Sequence, residues 1–352
     1  MLYRYLTERN TLNLVMKKII FIIGGLSALF FAGCKKELSD NFATYTGHPL
    51  NDTVWVRNVP GTASVHDLFN DLTPGFIVDS FNVSTGSTLR FGDSLEITFN
   101  PGSCIGPGTS GVPAGNARVE ILPLKRKGDF IKMFRPTTNN QNLLETGGGF
   151  FIRVSKDDKE LTLVNGATVK IKFNDVDTPK LNMQVFYGKE GNPVPPKGID
   201  TSFLWIRDFD TTAIPTWSKP SNNPLVPSYM GYELTSKNLR WVAAERYIDS
   251  TLPKTKITAI LSPNFTNKNT AVFAVFANQK TVVNLRGDYP SRSFNTINIP
   301  LKTAVKLVSI SKIGGDFYLG VKDISSVATV TSYTIVPSEK SLKDIIAFLN
   351  AL

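Results

Sequence analysis

Few side chains in this chain could do chemistry. Its two histidines, His48 and His66, both precede the region richest in strand signals. No H-E-x-x-H, no Cys/His ligand spacing and no G-x-S-x-G occurs, so the common metal and nucleophile arrangements are missing. Asp157-Asp158 and Asp208 with Asp210 could serve as a carboxylate pair or a calcium set, but neither follows EF-hand spacing. Solvated loop carboxylates give the same pattern. A hydrolase with Asp/Glu acids on loops stays open as the alternative, because a glycosidase's two acids need not be close in sequence. No catalytic residue, metal ligand or cofactor is assigned.

Two clusters point instead to binding. Trp205, Trp217, Tyr229 and Trp241 fall among loops rich in Pro and Asn. Their flat faces could stack on a sugar ring, and core packing is the competing reading. Lys125-Arg126-Lys127, with Lys132 and Arg135, could meet polysaccharide phosphate or lipid head groups, or form a solvated hairpin tip.

The two cysteines differ in setting. Ile19 to Ala32 is apolar or small throughout, follows Met16-Lys17-Lys18, and ends at Gly33-Cys34. A positive n-region, a short apolar h-region and small closing residues predict a secretory signal peptide over residues 1–33. The run is shorter than the roughly 20 apolar residues of a spanning helix. Residues 1–15 fit no part of such a signal, and Met16 is the better start; an unusually long n-region is the alternative. Phe31-Ala32-Gly33-Cys34 resembles a bacterial lipobox, with Phe31 where Leu is usual. That resemblance implies lipidation of Cys34 and a membrane partner reached through the lipid anchor. A plain secretory protein with an incidental cysteine is the alternative. Once Cys34 is acylated, Cys104 has no disulfide partner and reads as a small buried residue.

Residues 34–50 read as a polar tether. Lys35-Lys36-Glu37 with Asp40 resembles the export signal of surface lipoproteins in the Bacteroidota, which places the protein at the outer membrane, facing the cell surface or the periplasm. The chain carries 39 Lys+Arg against 29 Asp+Glu; without residues 1–33, which hold Arg4, Arg9, Lys17, Lys18 and Glu8, the balance falls from +10 to +7. The lysines are scattered and form no dense basic helix, so nucleic acid is not an expected partner. A glycan or an envelope protein is.

The elements that would position these residues are strands. Leu95, Ile97 and Phe99 alternate with polar residues, as do Phe150, Ile152 and Val154, and Val169, Ile171 and Phe173. This period of two predicts an N-terminal β-sandwich over 51–190. Val54 and Val56 predict a further strand. Asn165-Gly166 between two alternating runs predicts a hairpin. The Gly- and Pro-rich stretch 102–115 predicts a loop and offers no phosphate cradle. The Pro/Gly stretch 188–200 predicts a linker, followed by a second β domain over 201–336. Ser338 predicts the cap of a C-terminal amphipathic helix over 338–352, with Leu342, Ile345, Ile346, Leu349 and Leu352 on one stripe. The expected fold class is all-β, with two β-sandwich-like domains and that helix.

Residues 88–190 carry a resemblance. "LEITFNPGSCIG", "GNARVEILPL" and the cluster Arg135-Pro136-Thr137-Thr138 with Leu143-Leu144-Glu145-Thr146-Gly147-Gly148 are similar to a group of uncharacterised Bacteroidota lipoproteins. Their core resembles the β-sandwich of ankyrins and netrin receptors, in which a "Pro-x-x-small" turn precedes a "V-x-I" strand. The resemblance implies a binding, adhesion or scaffolding role and brings no catalytic residue.

Overall fold

The computed structural model describes residues 52–109, 111–140, 142–191, 199–219, 229–248 and 251–352. Alternation builds its outer sheet. In Leu95–Phe99 the three apolar residues are buried while Glu96 and Thr98 are partly exposed, and Val169–Asn174 repeats the pattern. The order in this sheet is Thr216–Lys219, Tyr229–Ser236, Val169–Asn174, Leu95–Phe99, Ser87–Arg90. An inner sheet runs Ile77–Asn82, Asn116–Leu124, Asn142–Lys156, Arg240–Tyr247, Gln184–Lys189, Leu204–Arg207, every neighbour antiparallel. Phe150, Ile152 and Val242 of the inner sheet share one core with Ile97, Ile171 and Phe173 of the outer one. Phe150 meets Phe173 edge-on at 4.8 Å, and Phe81 stacks on Phe99 at 4.3 Å.

The far face of the inner sheet is covered too. Leu122, Leu144, Phe151 and Trp241 belong to a second core shared with three helices and a third sheet. Helix α1, Ser64–Leu72, buries Val65, Leu68, Phe69 and Leu72, the i, i+3, i+4, i+7 stripe of an amphipathic helix. Helix α2, Lys127–Lys132, contributes Phe130 and Ile131; helix α3, Leu342–Asn350, contributes Ile345 and Leu349. The third sheet adds Phe273, Val275, Val308 and Ile310. Burial on both faces explains why residues 143–152 of the strand Asn142–Lys156 are buried without alternation.

The third sheet runs Thr331–Thr334, Lys254–Ile260, Ser293–Pro300, Val282–Asp288, Thr270–Phe276, Val305–Ile313, Asp316–Ile324, Ser338–Lys340. It turns on itself at Val282–Asp288, whose first half pairs with Thr270–Phe276 and whose second half pairs with Ser293–Pro300. Val272, Phe276 and Leu307 from one half meet Ile257, Phe294 and Ile299 from the other in a third core. The protein is thus all-β, sandwich-like at both ends, with a C-terminal helix, and Pro49–Leu352 form one compact unit.

Several expectations need correction. The stretch 188–200 does not separate two sets of sheets: the strands on either side, Gln184–Lys189 and Leu204–Arg207, pair with each other. The strands up to Tyr247 all belong to the inner and outer sheets, and the third sheet begins only at Lys254. Pro/Gly composition suits a connection between neighbours as well as a linker between domains. Asn165-Gly166 is a turn, with Gly166 at φ +82°, but not a hairpin. Lys159–Leu163 pairs in the inner sheet and Val169–Asn174 in the outer one, so the turn carries the chain across the core. Residues 54–56 form no strand; Trp55 instead tucks against Phe294 at 5.0 Å. Ser338 lies in a short strand, and the helix cap is Ser341, whose hydroxyl accepts from the Asp344 N–H at 3.1 Å. The signal peptide, the tether, Cys34 and His48 lie outside the described residues.

Candidate functional site

The tripeptide Lys125-Arg126-Lys127 leaves the end of the strand Asn116–Leu124 and enters α2. Its turn is set by Asp129, whose carboxylate accepts from the Lys125 and Arg126 N–H groups at 2.9 Å each. An acid there satisfies helix N-terminal donors that would otherwise lack partners. The same carboxylate binds the Lys132 ammonium at 2.8 Å. Each side chain of the tripeptide then reaches a different part of the fold. Lys125 Nζ donates to the Ser94 carbonyl at 2.8 Å, beside the outer sheet. Arg126 Nη1 donates to the Asn350 carbonyl at 2.7 Å, at the end of α3. Lys127 Nζ donates to the Phe276 carbonyl at 2.9 Å, at the end of a third-sheet strand. Lys132 adds a bond to Asn350 Oδ1 at 2.7 Å. Three cations in a row staple three layers, and all of them bind carbonyl oxygens rather than carboxylates.

A cleft of about 700 Å³ opens at this junction. Arg126, Lys127, Lys180 and Lys280 line it, with Glu145, Asp175 and Asp177 as its acids. Lys280 is buried and pairs with the buried Asp175; Asp177 lies 3.6 Å from the same ammonium. Glu145 is engaged by Arg246, with Nε to Oε2 at 2.9 Å. The remaining lining is mixed, with Thr146, Thr178, Asn278, Gln279 and Asn350 beside the apolar Val176, Ala277, Ala351 and Leu352. Burial pulls the Lys125 ammonium beside the cleft down to about 8; Asp175 and Asp129 oppose that fall and Lys280 deepens it. Burial also lowers the Lys127 pKa, with Asp177 opposing and Lys280 and Lys306 reinforcing. Burial raises the Tyr232 phenol, which accepts the Lys180 N–H at 2.6 Å.

No protein-family model, curated protein or solved structure matches this chain.

The aromatic cluster does not come together as a stacking site. Trp205 and Trp241 are fully enclosed. Trp241 donates its indole N–H to Glu190 at 2.8 Å, and its ring lies edge-on to Trp205 with centroids 6.5 Å apart. They pack in the core beneath the inner sheet and present no face to a sugar. Trp217 alone stays half-exposed, on the outer sheet, with the Lys172 ammonium 4.5 Å from its ring centroid. Tyr229 begins the neighbouring strand and pairs with Lys219, and its side chain lies outside the described residues.

The basic cluster is neither a solvated hairpin tip nor a single surface patch. Arg135 is buried, its guanidinium 4.7 Å from both the Phe203 and Trp241 ring centroids, and donates to the Met133 and Phe134 carbonyls at 3.0 and 3.2 Å. Burial pulls it down to about 10 against the fields of Asp200 and Glu190. It is a core strut.

Asp157 and Asp158 form an exposed turn at positive φ. Asp208 accepts from the Tyr187 hydroxyl at 3.1 Å, and Asp210 faces Lys237 at 3.5 Å. Among the described residues no group of three or more His, Cys, Asp or Glu side chains could hold a metal ion, and no helix is long and apolar enough to cross a membrane. Cys104 is buried and its thiol is pushed up to about 11 by that burial. Lys280 and Asp175 were not singled out by the sequence, and Glu145 stood only within the cluster that carries the resemblance, with no role at a site.

Proposed function

We propose that this is a lipid-anchored protein of the bacterial cell envelope, at the outer membrane. Its role is binding, in adhesion or in scaffolding an envelope complex, without catalysis, and the charged cleft is where it meets its ligand. The observation that carries this reading is Cys34, which closes the apolar run Ile19–Ala32 behind Lys17-Lys18 and precedes Lys35-Lys36. One acyl chain gives only marginal membrane binding, at about 0.8 kcal/mol per buried methylene, so the several chains of a lipoprotein anchor hold far more firmly. The folded body then needs no spanning segment of its own. The amphipathic C-terminal stripe supports the same division of labour: Ile345 and Leu349 are spent on the protein's own core and are not free for lipid.

Metabolic labelling with palmitate tests the anchor. Label should enter the wild-type protein and be lost in Cys34→Ser, which should shift from the membrane fraction to the soluble one. An unlabelled protein whose Cys34→Ser form fractionates unchanged would end this reading.

A further inference from the structure

We propose that the cleft binds an acidic saccharide, with Arg126 and Lys127 receiving the sugar's carboxylate or phosphate group. The inference rests on the cleft being the ligand site and names the ligand's class. Its volume of about 700 Å³ lies in the range of small-molecule sites. Its wall, however, is mostly polar, interrupted by Val176, Ala277, Ala351 and Leu352, and no aromatic ring is among its lining residues. Hydroxyls, amides and charges recognise a hydroxyl-rich ligand; an acyl chain would need a mostly apolar lining.

Charge selects the acidic member of that class. Arg126 and Lys127 touch only backbone carbonyls among the described residues. The acids around them are occupied. Asp129 is bound by Lys132 and by two helix N–H groups, Asp175 by Lys280, and Glu145 by Arg246. Asp177 is the remaining side-chain acid of the lining, mostly exposed and 3.6 Å from Lys280. Lys180 adds an exposed cation to the lining, and its side chain has no partner among the described residues. Among the described residues the half-buried Lys127 therefore has no carboxylate hydrogen-bonded to it, although the charge of Asp177 is felt there. A ligand oxyanion would supply charge-assisted hydrogen bonds, roughly twice as strong as neutral ones. Confinement of the cations to one concave site fits a discrete anionic group better than an extended lipid surface.

Calorimetric titration of the full chain in nonionic detergent tests this. The probes are an oligogalacturonate, its neutral methyl ester, inorganic phosphate, and vesicles containing an anionic phospholipid. The oligogalacturonate should bind, with the ester at least about tenfold weaker, as loss of one charge-assisted bond implies. Affinity should fall as salt rises. Lys127→Ala should weaken binding about tenfold by the same argument. Because Lys127 also ties down the third sheet, Lys180→Glu is the companion variant: it should weaken binding with an unchanged melting temperature. Phosphate binding with the same sensitivity to both variants would support the anion-receiving wall and make phosphate the group carried.

Failure of both oligogalacturonate and phosphate to bind at millimolar concentration would overturn the proposal. So would binding indifferent to both variants, equal binding of the neutral ester, or binding to vesicles alone. Cys34→Ser protein should titrate identically, so loss of the anchor and loss of the ligand are read separately.

Discussion

Gly128 offers the sharpest test of how the C-terminal helix is held. It sits in α2, where a Cβ would come 1.8 Å from the Leu349 carbonyl oxygen and 2.5 Å from its carbon. These are backbone atoms of α3 and cannot rotate away. To bring that oxygen out to even 3.0 Å, the helices must part by about 1.2 Å, a tight limit for a real Cβ contact. Intrinsic propensity argues the other way, since Ala is better than Gly in a helix by about 1 kcal/mol. Overpacking of this kind costs about 1–3 kcal/mol, occasionally more. The ceiling is full undocking of α3. That would expose Ile345 and Leu349, both fully buried, at about 1.5–3 kcal/mol each. The steric effect wins, and the net expectation for Gly128→Ala is a loss of about 2–4 kcal/mol, between the overpacking cost and the undocking ceiling. Urea unfolding measures the loss. Hydrogen exchange should show it concentrated in α3, because the Arg126 and Lys132 bonds to Asn350 stretch together. Equal or greater stability of Gly128→Ala would refute the close approach of the two helices.

Other outcomes follow from buried groups. Glu245 is fully buried, and burial raises its pKa well above 4.5, with Thr146 opposing only in part. The folded state therefore keeps a proton that the unfolded chain releases, so this contribution to stability is full below about pH 4.5 and falls as pH rises toward the folded value. Glu245→Gln should flatten that part of the stability–pH curve; parallel curves for the two proteins would contradict it. Arg135→Ala should cost about 2–5 kcal/mol, as a large-to-small core change, and Arg135→Met much less, measured by urea unfolding; equal costs would show that the charge itself is needed. Cys104 in the Cys34→Ser protein should resist thiol reagents at pH 8 until denaturant is added, because burial holds its thiol near 11; fast labelling of the native protein would place it elsewhere.

The parts of this fold legible in the sequence are those with one wet face. Leu95–Phe99 and Val169–Asn174 alternate because their sheet meets solvent on one side. Asn142–Lys156 was legible only around Phe150–Val154. Its first half, Leu-Leu-Glu-Thr-Gly-Gly, lacks alternation because helices and the third sheet cover its other face. Gly147 and Gly148 suggest a loop, yet they sit mid-strand. A Cβ on Gly147 would strike the Tyr232 ring at 2.5 Å, and Gly148 adopts φ +141°. They accommodate the bulge opposite Ala244 and Glu245. Composition misled in the same way for Trp205 and Trp241, whose flanking Pro and Asn residues describe the turns and not the buried strands between them.

The candidate site divides along a similar line. A run of three cations is a local signal, and Lys125-Arg126-Lys127 stood out. Whether such a run is solvated or structural depends on what faces it, and here the facing groups are Ser94, Phe276 and Asn350. All three are backbone carbonyls or sit at element ends, positions that side-chain patterns do not mark. The same holds for Lys280 and Asp175, which meet across 105 residues. Their pairing decides the electrostatics of the cleft. The lining side chains carry four cations, Arg126, Lys127, Lys180 and Lys280, against three acids, Glu145, Asp175 and Asp177. Because Lys280 occupies Asp175, Arg126 and Lys127 have no carboxylate hydrogen-bonded to them among the described residues, and the site selects for an anion. Asp175→Asn should therefore leave the cleft more positive and tighten acidic-sugar binding. Its failure to do so, with the fold intact by melting temperature, would mean that the cations of this junction serve only to staple the layers.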